Sequence, residues 1–492
     1  MDGFECGLLL FLIACVNSVI AHDKVVMCYY GTWATYRHSL GKYDVTNIDV
    51  DLCTHVVYTF AGIDDQGHVM SLDPYLDLPD NWGRDNFRKF NALKKRKATL
   101  KTILAVGGWN EGSGKYSLMA SNSSYRKNFV DSAVNMLKTY GFDGLDLDWE
   151  YPNGRDTVHG AADVVNYVKL LNELRTEFDK HGYLLSAAVA ATPDKAAVSY
   201  DIPVISKLFD LIGLMTYDFY GAFDSVTGHN SPLHKGEGDD DTPDEKVYSI
   251  ELAINFWLKE GCPPEKLVIG LPFYGRTFTL TDPSVNGLRA PASGPGIAGD
   301  YTQTNGVIGF NEFCVKLQTQ SWNVRYDSKA KVPYAVNQRN WVSYDDYDSL
   351  AVKTQYALSR NLIGVMVWSI ETDDFHGLCG RGANPLLKAV NSALDGNYTS
   401  SPPNDTPVES TSTTTTTTTT TKTTTTRRTT ASPIVCHKEG FMSHPSDCSS
   451  FYMCIKDSMG HLAPAHFTCP DGLHFDPANN YCNYPELAKC TV

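Results

Sequence analysis

The run Asp143-Gly-Leu-Asp146-Leu-Asp148-Trp-Glu150-Tyr-Pro152 sets carboxylates at alternate positions with apolar residues between them. In a strand, residues two apart share a face, so Asp146, Asp148 and Glu150 line one side while Leu145, Leu147 and Trp149 line the other. A buried strand face normally carries Val or Ile, and acids there are unfavourable unless they share protons or meet a cation. Carboxyls about 6.6 Å apart along one face titrate as a coupled set, and at least one is expected to hold its proton near neutral pH. A carboxyl kept protonated is what glycosidic-bond cleavage needs as its acid. Glu150, last in the row and nearest the strand's C-terminal end, is the best-placed donor. A divalent-metal site and a solvated acidic turn are the other readings, and the strict alternation with flanking Trp149 and Tyr151 weighs against a turn.

The row resembles the catalytic signature of glycoside hydrolase family 18, the chitinases, Asp-x-x-Asp-x-Asp-x-Glu, with every acid present. Three more motifs of that family follow in order: Lys101-Thr-Ile-Leu-Ala-Val-Gly107-Gly108-Trp109, Met215-Thr-Tyr217-Asp218-Phe-Tyr-Gly221, and Gly364-Val-Met-Val-Trp368-Ser-Ile-Glu371-Thr-Asp373-Asp374. Glu371 stands where the family usually has Asp, beside the catalytic row and not within it. The resemblance implies a substrate-assisted reaction in which the N-acetyl oxygen of the sugar is the nucleophile. Glu150 would then protonate the glycosidic oxygen, Asp148 would hold the acetamido N–H and the cationic oxazolinium, and Asp146 would share a proton with Asp148. Tyr217 would donate to the acetamido oxygen and Asp218 would orient the reacting sugar. Trp368 would floor the distorted sugar, Trp33 and Trp109 would stack sugar rings, and Tyr29, Phe60, Met215, Tyr274 and Arg276 would line the same cleft. The resemblance requires no cofactor, and no metal motif is visible.

Eight short β-rich apolar runs can carry these motifs: 25–30, 55–60, 101–106, 142–148, 184–189, 211–216, 267–271 and 363–367. Helical patterns alternate with several of them. Val164, Val168, Leu171, Leu174 and Phe178 keep a 3.6-residue period, as do Val247, Ile250, Ile254 and Trp257, and Gly141 fits a helix C-cap. Eight strand-and-helix units over about 370 residues point to an α/β fold, a (β/α)8 TIM barrel. Its catalytic groups are expected at the C-terminal strand ends, where four motifs fall. Residues 277–347 read as loops and short strands, where the family resemblance implies a small α+β insertion that would wall one side of the cleft. The acidic stretch 237–245 reads as a solvated loop entering a helix, with Thr242-Pro243-Asp244-Glu245 as a capping box.

With 492 residues, 42% hydrophobic and 20% charged, the chain is globular and longer than one ordinary domain. Residues 1–21 hold an apolar run and a Val19-x-Ala21 site that read as a secretory signal peptide, too short for the ~20 apolar residues of a bilayer span. Removing it leaves eleven of thirteen cysteines, an odd number for an oxidising compartment, so one thiol should be unpaired. By resemblance to the family, Cys28 pairs with Cys53 and Cys314 with Cys379, which leaves Cys262 free. A net charge of −14 argues against nucleic acid or an anionic membrane as partner, both of which are bound through clustered Lys and Arg. Chitin and N-acetylglucosamine oligomers, neutral polymers, are the expected partners of a secreted, extracellular monomer.

The catalytic unit is expected over 22–396. Residues 397–435 form a linker in which sixteen of the twenty positions 411–430 are Thr, a mucin-like O-glycosylated composition. Asn122, Asn397 and Asn404 stand in N-glycosylation sequons. The last segment, 436–492, carries Cys436, Cys448, Cys454, Cys469, Cys482 and Cys490, read as three disulfides stapling a module too small for its own core, with fifteen connectivities open. Its spacing, with Phe451-Tyr452-x-Cys454 and Leu473-His-Phe475-Asp-Pro477, resembles the peritrophin-A type of chitin-binding domain. Tyr452, Phe475, Tyr481 and Tyr484 are candidate sugar platforms, at least half of them expected to be core instead.

The leading reading is therefore a secreted endo-acting, retaining chitinase with a tethered binding module that raises its concentration on an insoluble polymer. A catalytically inactive chitinase-like lectin, a chitin-matrix binding protein and an enzyme acting on N-glycan cores are the alternatives. The intact Glu150 disfavours the lectin, the complete row makes matrix binding secondary, and the C-terminal module disfavours N-glycan cores.

Overall fold

The computed structural model describes residues 22–399 apart from 244 and 245, and in the C-terminal segment 435–438, 440–456, 462–469, 473–477, 481–483, 485–488 and 490. The leader, the Thr-rich tract, Asn404 and Tyr484 lie outside the described residues. Eight parallel strands form a closed barrel: β1 (Val25–Gly31), β2 (His55–Ile63), β3 (Lys101–Gly107), β4 (Gly144–Asp148), β5 (Leu184–Ala190), β6 (Leu211–Met215), β7 (Leu267–Pro272) and β8 (Gly364–Trp368). Each pairs with the next in sequence, and β8 closes on β1 through Val25–Cys28 against Gly364–Val367. Every run marked in the sequence is a barrel strand, its ends displaced by at most a few residues.

The strand alternation builds two cores. Val25, Met27, Tyr29, Val57, Ile103, Ala105, Val268 and Met366 pack inside the barrel. Their alternates, among them Val26, Cys28, Tyr30, Leu145 and Leu147, face the helical layer and meet Leu170, Leu171, Leu174 and Trp257. Each such side chain, once fully buried, contributes about 1.5–3 kcal/mol. The helix Ser123–Tyr140 is capped at its start by Asn122 Oδ1, which accepts from the Ser124 amide at 2.8 Å, and at its end by Gly141 at φ 83°. The helix Ala162–Phe178 buries Leu171, Leu174 and Phe178 as the period predicts, with Val164 and Val168 half-buried at the edge of the stripe.

Of the capping box expected over 242–245 ahead of a helix, the described part has the Lys246 amide donating to the Pro243 carbonyl at 2.9 Å. That helix spans Ile250–Lys259 and is capped by Ser249 Oγ on the Leu252 amide. Val247 is buried before it, and Asp244 and Glu245 lie outside the described residues. The insertion is present and begins earlier than expected, at Tyr274. The strands Tyr274–Leu280, Ala292–Pro295, Val307–Gly309, Asn323–Asp327, Val332–Asn337 and Asn340–Ser343 form one antiparallel sheet beside the helix Phe310–Thr319.

Disulfides join Cys28 to Cys53 and Cys314 to Cys379, and Cys262 is a buried free thiol. The first ties β1 to the segment that enters β2, over a separation of 25 residues. Replacing both of these cysteines by serine is expected to cost about 2–4 kcal/mol, seen as a lower midpoint of chemical denaturation. An unchanged midpoint would show that the crosslink does not restrict the unfolded chain. In the C-terminal module, Cys436 is joined to Cys454 and Cys448 to Cys490, and Cys469 is disulfide-bonded as well. Phe451 and Phe475 stack at 4.5 Å in its core. Among the described residues, no helix is long and apolar enough to cross a membrane.

Candidate active site

The acidic row occupies β4 and its exit. Asp146 and Asp148 point inward and are buried, and Glu150 is half-buried two residues past the strand end. Asp146 accepts from Ser186 Oγ on β5 at 2.5 Å and from the Tyr29 hydroxyl on β1 at 2.8 Å. Burial pushes its carboxyl up to about 6 against these two bonds. Burial first, then the Glu150 and Asp146 charges, raises the Asp148 carboxyl well above the ordinary carboxylate range. Its Oδ1 is buried without a hydrogen-bond partner. Burial, reinforced by the Asp218 charge, also pushes Glu150 up to about 7, while the Tyr151 hydroxyl, Arg155 and the Trp109 amide hold it down. The row thus retains protons at neutral pH because ionising it fully would gather several negative charges in a dry interior.

The glycine pair of the 101–109 motif lets β3 meet β4. Gly107 has φ +123°, and a Cβ there would lie 2.1 Å from the Asp148 carbonyl oxygen, which accepts from the Gly108 amide at 2.8 Å. Any side chain at residue 107 would therefore push apart the backbone that fixes the acidic row. The turn that follows is bonded to the same row, since Ser113 Oγ accepts from Trp149 Nε1 at 2.6 Å and donates to the Tyr151 carbonyl at 3.2 Å.

Facing the acids, Tyr217 leaves β6 half-buried, packed edge-on to Tyr274 at 6.1 Å. Asp218 is exposed, with φ 57°. Its Oδ1 accepts from the Tyr274 hydroxyl at 2.5 Å and from Arg276 Nε at 2.7 Å, and its Oδ2 pairs with Arg276 at 2.6 Å. Trp33, Phe60 and Trp368 form a continuous aromatic wall: Trp33 and Phe60 stack at 6.2 Å, and Phe60 and Trp368 at 5.8 Å. Trp33 and Trp109 are 42% and 57% exposed, as ring platforms must be, whereas Phe60, Met215 and Trp368 are half-buried. Acids and an aromatic wall meet at the C-terminal mouth of the barrel.

Residues 25–373 match the family described as glycosyl hydrolases family 18. The chain belongs to that family. As a family 18 glycoside hydrolase it is 43% identical over 395 residues to the probable chitinase 2 of Drosophila melanogaster, which covers 76% of this chain and 79% of that protein. Its fold superposes on the Ostrinia furnacalis Group IV chitinase in complex with allosamidin at TM-score 0.75, with 54% identity over 77% of this chain and 100% of that one. It also superposes on human YKL-39, described as a pseudo-chitinase with retained chitooligosaccharide binding, at TM-score 0.69, with 34% identity over 76% of this chain and 100% of that one. Residues 436–490 match the chitin binding peritrophin-A domain.

Against the positions expected from the family 18 motifs, two residues are not cleft-lining. Tyr29 is 1% exposed and spends its hydroxyl on Asp146, and Tyr274 is 8% exposed and spends its hydroxyl on Asp218. Both position acids. In the chitin-binding module Phe475 is 1% exposed, a core residue and not a platform. Tyr452 is half-buried and stacks on His444 at 5.3 Å, and the side chain of Tyr481 lies outside the described residues. Asn122 and Asn397 are exposed. Glu371, the departure from the motif, is buried and accepts from the Gly31 amide at 3.0 Å and from Ser369 Oγ at 2.6 Å, joining the exits of β8 and β1.

Sequence reading missed Ser186 and Asn230. Ser186 is signalled only as a polar residue inside the apolar run 184–190. Asn230, buried, accepts from the Asp218 amide at 2.9 Å and donates to the Tyr274 carbonyl at 3.2 Å, and nothing in its local sequence marks it.

Proposed function

We propose that the protein is a secreted, endo-acting chitinase that hydrolyses β-1,4-linked N-acetylglucosamine polymers with retention, using the substrate's acetamido oxygen as nucleophile. The observation that carries this reading is the pair at the row's end: a Glu150 carboxyl pushed up to about 7 beside an Asp148 whose buried Oδ1 has no partner. A protonated Glu150 gives its proton to the glycosidic oxygen as the acetamido oxygen attacks the anomeric carbon. The empty Asp148 oxygen accepts the acetamido N–H, and its charge offsets the oxazolinium cation. Asp146 takes up or returns a proton as Asp148 changes charge. Tyr217 donates to the acetamido oxygen, Asp218 with Arg276 orients the sugar, and Trp368 lies beneath it. Water then opens the oxazolinium from the face that the leaving group vacated, with Glu150 as base. The chitinase names of the Drosophila and Ostrinia relatives support the substrate.

The domain scheme belongs to the same proposal: a leader over 1–21, a catalytic unit over 22–396, a glycosylated linker over 397–435 and a chitin-binding module over 436–492. The test is hydrolysis of N-acetylglucosamine oligomers by the full chain, with the anomer of the earliest product followed by NMR. β-Products are expected. α-Products at the first time points would sink the substrate-assisted route. Binding without cleavage would move the protein to the lectin class, of which the YKL-39 similarity is a reminder.

A further inference from the structure

Resting on the reading of Glu150 as the acid, we propose that Arg155 is a positioning residue that clamps the Trp109 indole into a one-faced sugar platform beside that acid. The Arg155 guanidinium lies 3.6 Å from the centre of the Trp109 ring, and its Nη1 donates to the Trp109 carbonyl at 2.9 Å. Its Nε pairs with Asp156 Oδ2 at 3.0 Å. One planar group therefore covers a ring face and holds the backbone of the same residue, a combination that guanidinium allows and ammonium does not. Trp33 gains its support from Phe60 and Trp368, whereas the support of Trp109 is Arg155.

The clamp spans two strand exits. Trp109 opens the turn Trp109–Glu111 after β3, entered through Gly108 at φ 89°, and Arg155 lies five residues past Glu150 on the loop after β4. The Trp109 amide faces the Glu150 carboxylate. Holding the Trp109 peptide thus holds a donor on the acid as well as a platform for the sugar whose linkage the acid protonates. With one ring face covered, the exposed indole has its opposite face for an apolar sugar face.

Arg155 also bears on the acid's charge. The titratable groups facing Glu150 are Asp148 on its strand, Asp218 after β6, and the hydroxyls of Tyr151, Tyr200 and Tyr217; Arg155 supplies the positive charge among them. Removing that cation favours the protonated acid, so the alkaline limb of activity should move to higher pH.

The experiment compares the full chain with Arg155→Met and Arg155→Lys on soluble N-acetylglucosamine tetramer and hexamer, over a pH series. Arg155→Met is expected to raise KM roughly three- to tenfold, with a smaller change in kcat, and to shift the alkaline limb upward. Arg155→Lys should keep the limb in place yet still raise KM, because it restores the charge but neither the flat stack nor the fork. Wild-type KM and limb in Arg155→Met would overturn the proposal, as would full rescue of KM by lysine. Should the wild type cleave no oligomer, the chitinase reading falls. Calorimetric affinity for the same oligomers then decides Arg155 on its own, a three- to tenfold weakening in Arg155→Met supporting the clamp and equal affinity overturning it.

Discussion

Exchanging Glu150 for glutamine is expected to remove nearly all hydrolysis and, in the same molecule, to stabilise the fold at neutral pH. Loss of the proton donor should lower kcat by about 10²–10⁴-fold, with KM little changed because the amide keeps the carboxyl's shape. The stability gain follows from linkage. A carboxyl whose folded pKa is raised favours the folded state while protonated, so that contribution is full below the ordinary value of 4.5 and is lost as pH rises through about 7. Glutamine cannot ionise and escapes the loss. Glu150→Gln should therefore match the wild type near pH 4 and exceed it by about 1–3 kcal/mol at pH 8, read from denaturation midpoints at the two pH values. Equal stability at both would mean that the site does not store the cost of a buried charge. The same ionisation sets the activity profile, since the acid is present only below about 7 and wild-type turnover should decline above it.

What could be read from the chain in advance follows the range of the interactions involved. The barrel strands were legible because their apolar runs report burial on both faces, and the acidic row because its period of two is local to residues 143–150. Tyr29 shows the limit. It alternates with Val25 and Met27, which places it on the inner face, but whether an inward tyrosine meets solvent or a carboxylate depends on β4, more than a hundred residues away. Ser186 and Asn230 serve acids 40 and 12 residues distant in sequence, so no local pattern reports them. Asp239 pairs with Arg289 of the insertion, and the Ile250 amide donates to the Pro232 carbonyl, contacts that no local pattern reports and that help place the helix Ile250–Lys259. In the small module, the aromatics advertised as platforms compete for its core, and Phe475 went inside with Phe451.

Asp148→Asn tests the other half of the chemistry, because it removes a carboxyl able to turn anionic during the reaction from a place where the fold has left an acceptor unfilled. Asp148 is 3% exposed, its Oδ1 lacks a partner, and burial first, then the Glu150 and Asp146 charges, keep its pKa high. Leaving a buried carboxyl oxygen unpaired costs on the order of 1–3 kcal/mol, a cost the free protein carries and a bound acetamido N–H would relieve. The relief should be greatest when the acetamido group has cyclised and become cationic, since an anion beside it then gains Coulomb energy in a dry site. Asparagine keeps the size and one acceptor but loses the charge. The expected result is a fall in kcat of about 10²–10³-fold, with oligomer affinity within about threefold of wild type. A stable thiazoline mimic of the cyclised sugar should lose affinity by a factor close to the loss in kcat, because it shares the charge and shape that the charged site favours. If oligomer and thiazoline weaken equally, Asp148 acts in ground-state binding alone. If neither weakens and kcat persists, the unfilled oxygen is not where the acetamido group goes, and the substrate-assisted route loses the residue that makes it work.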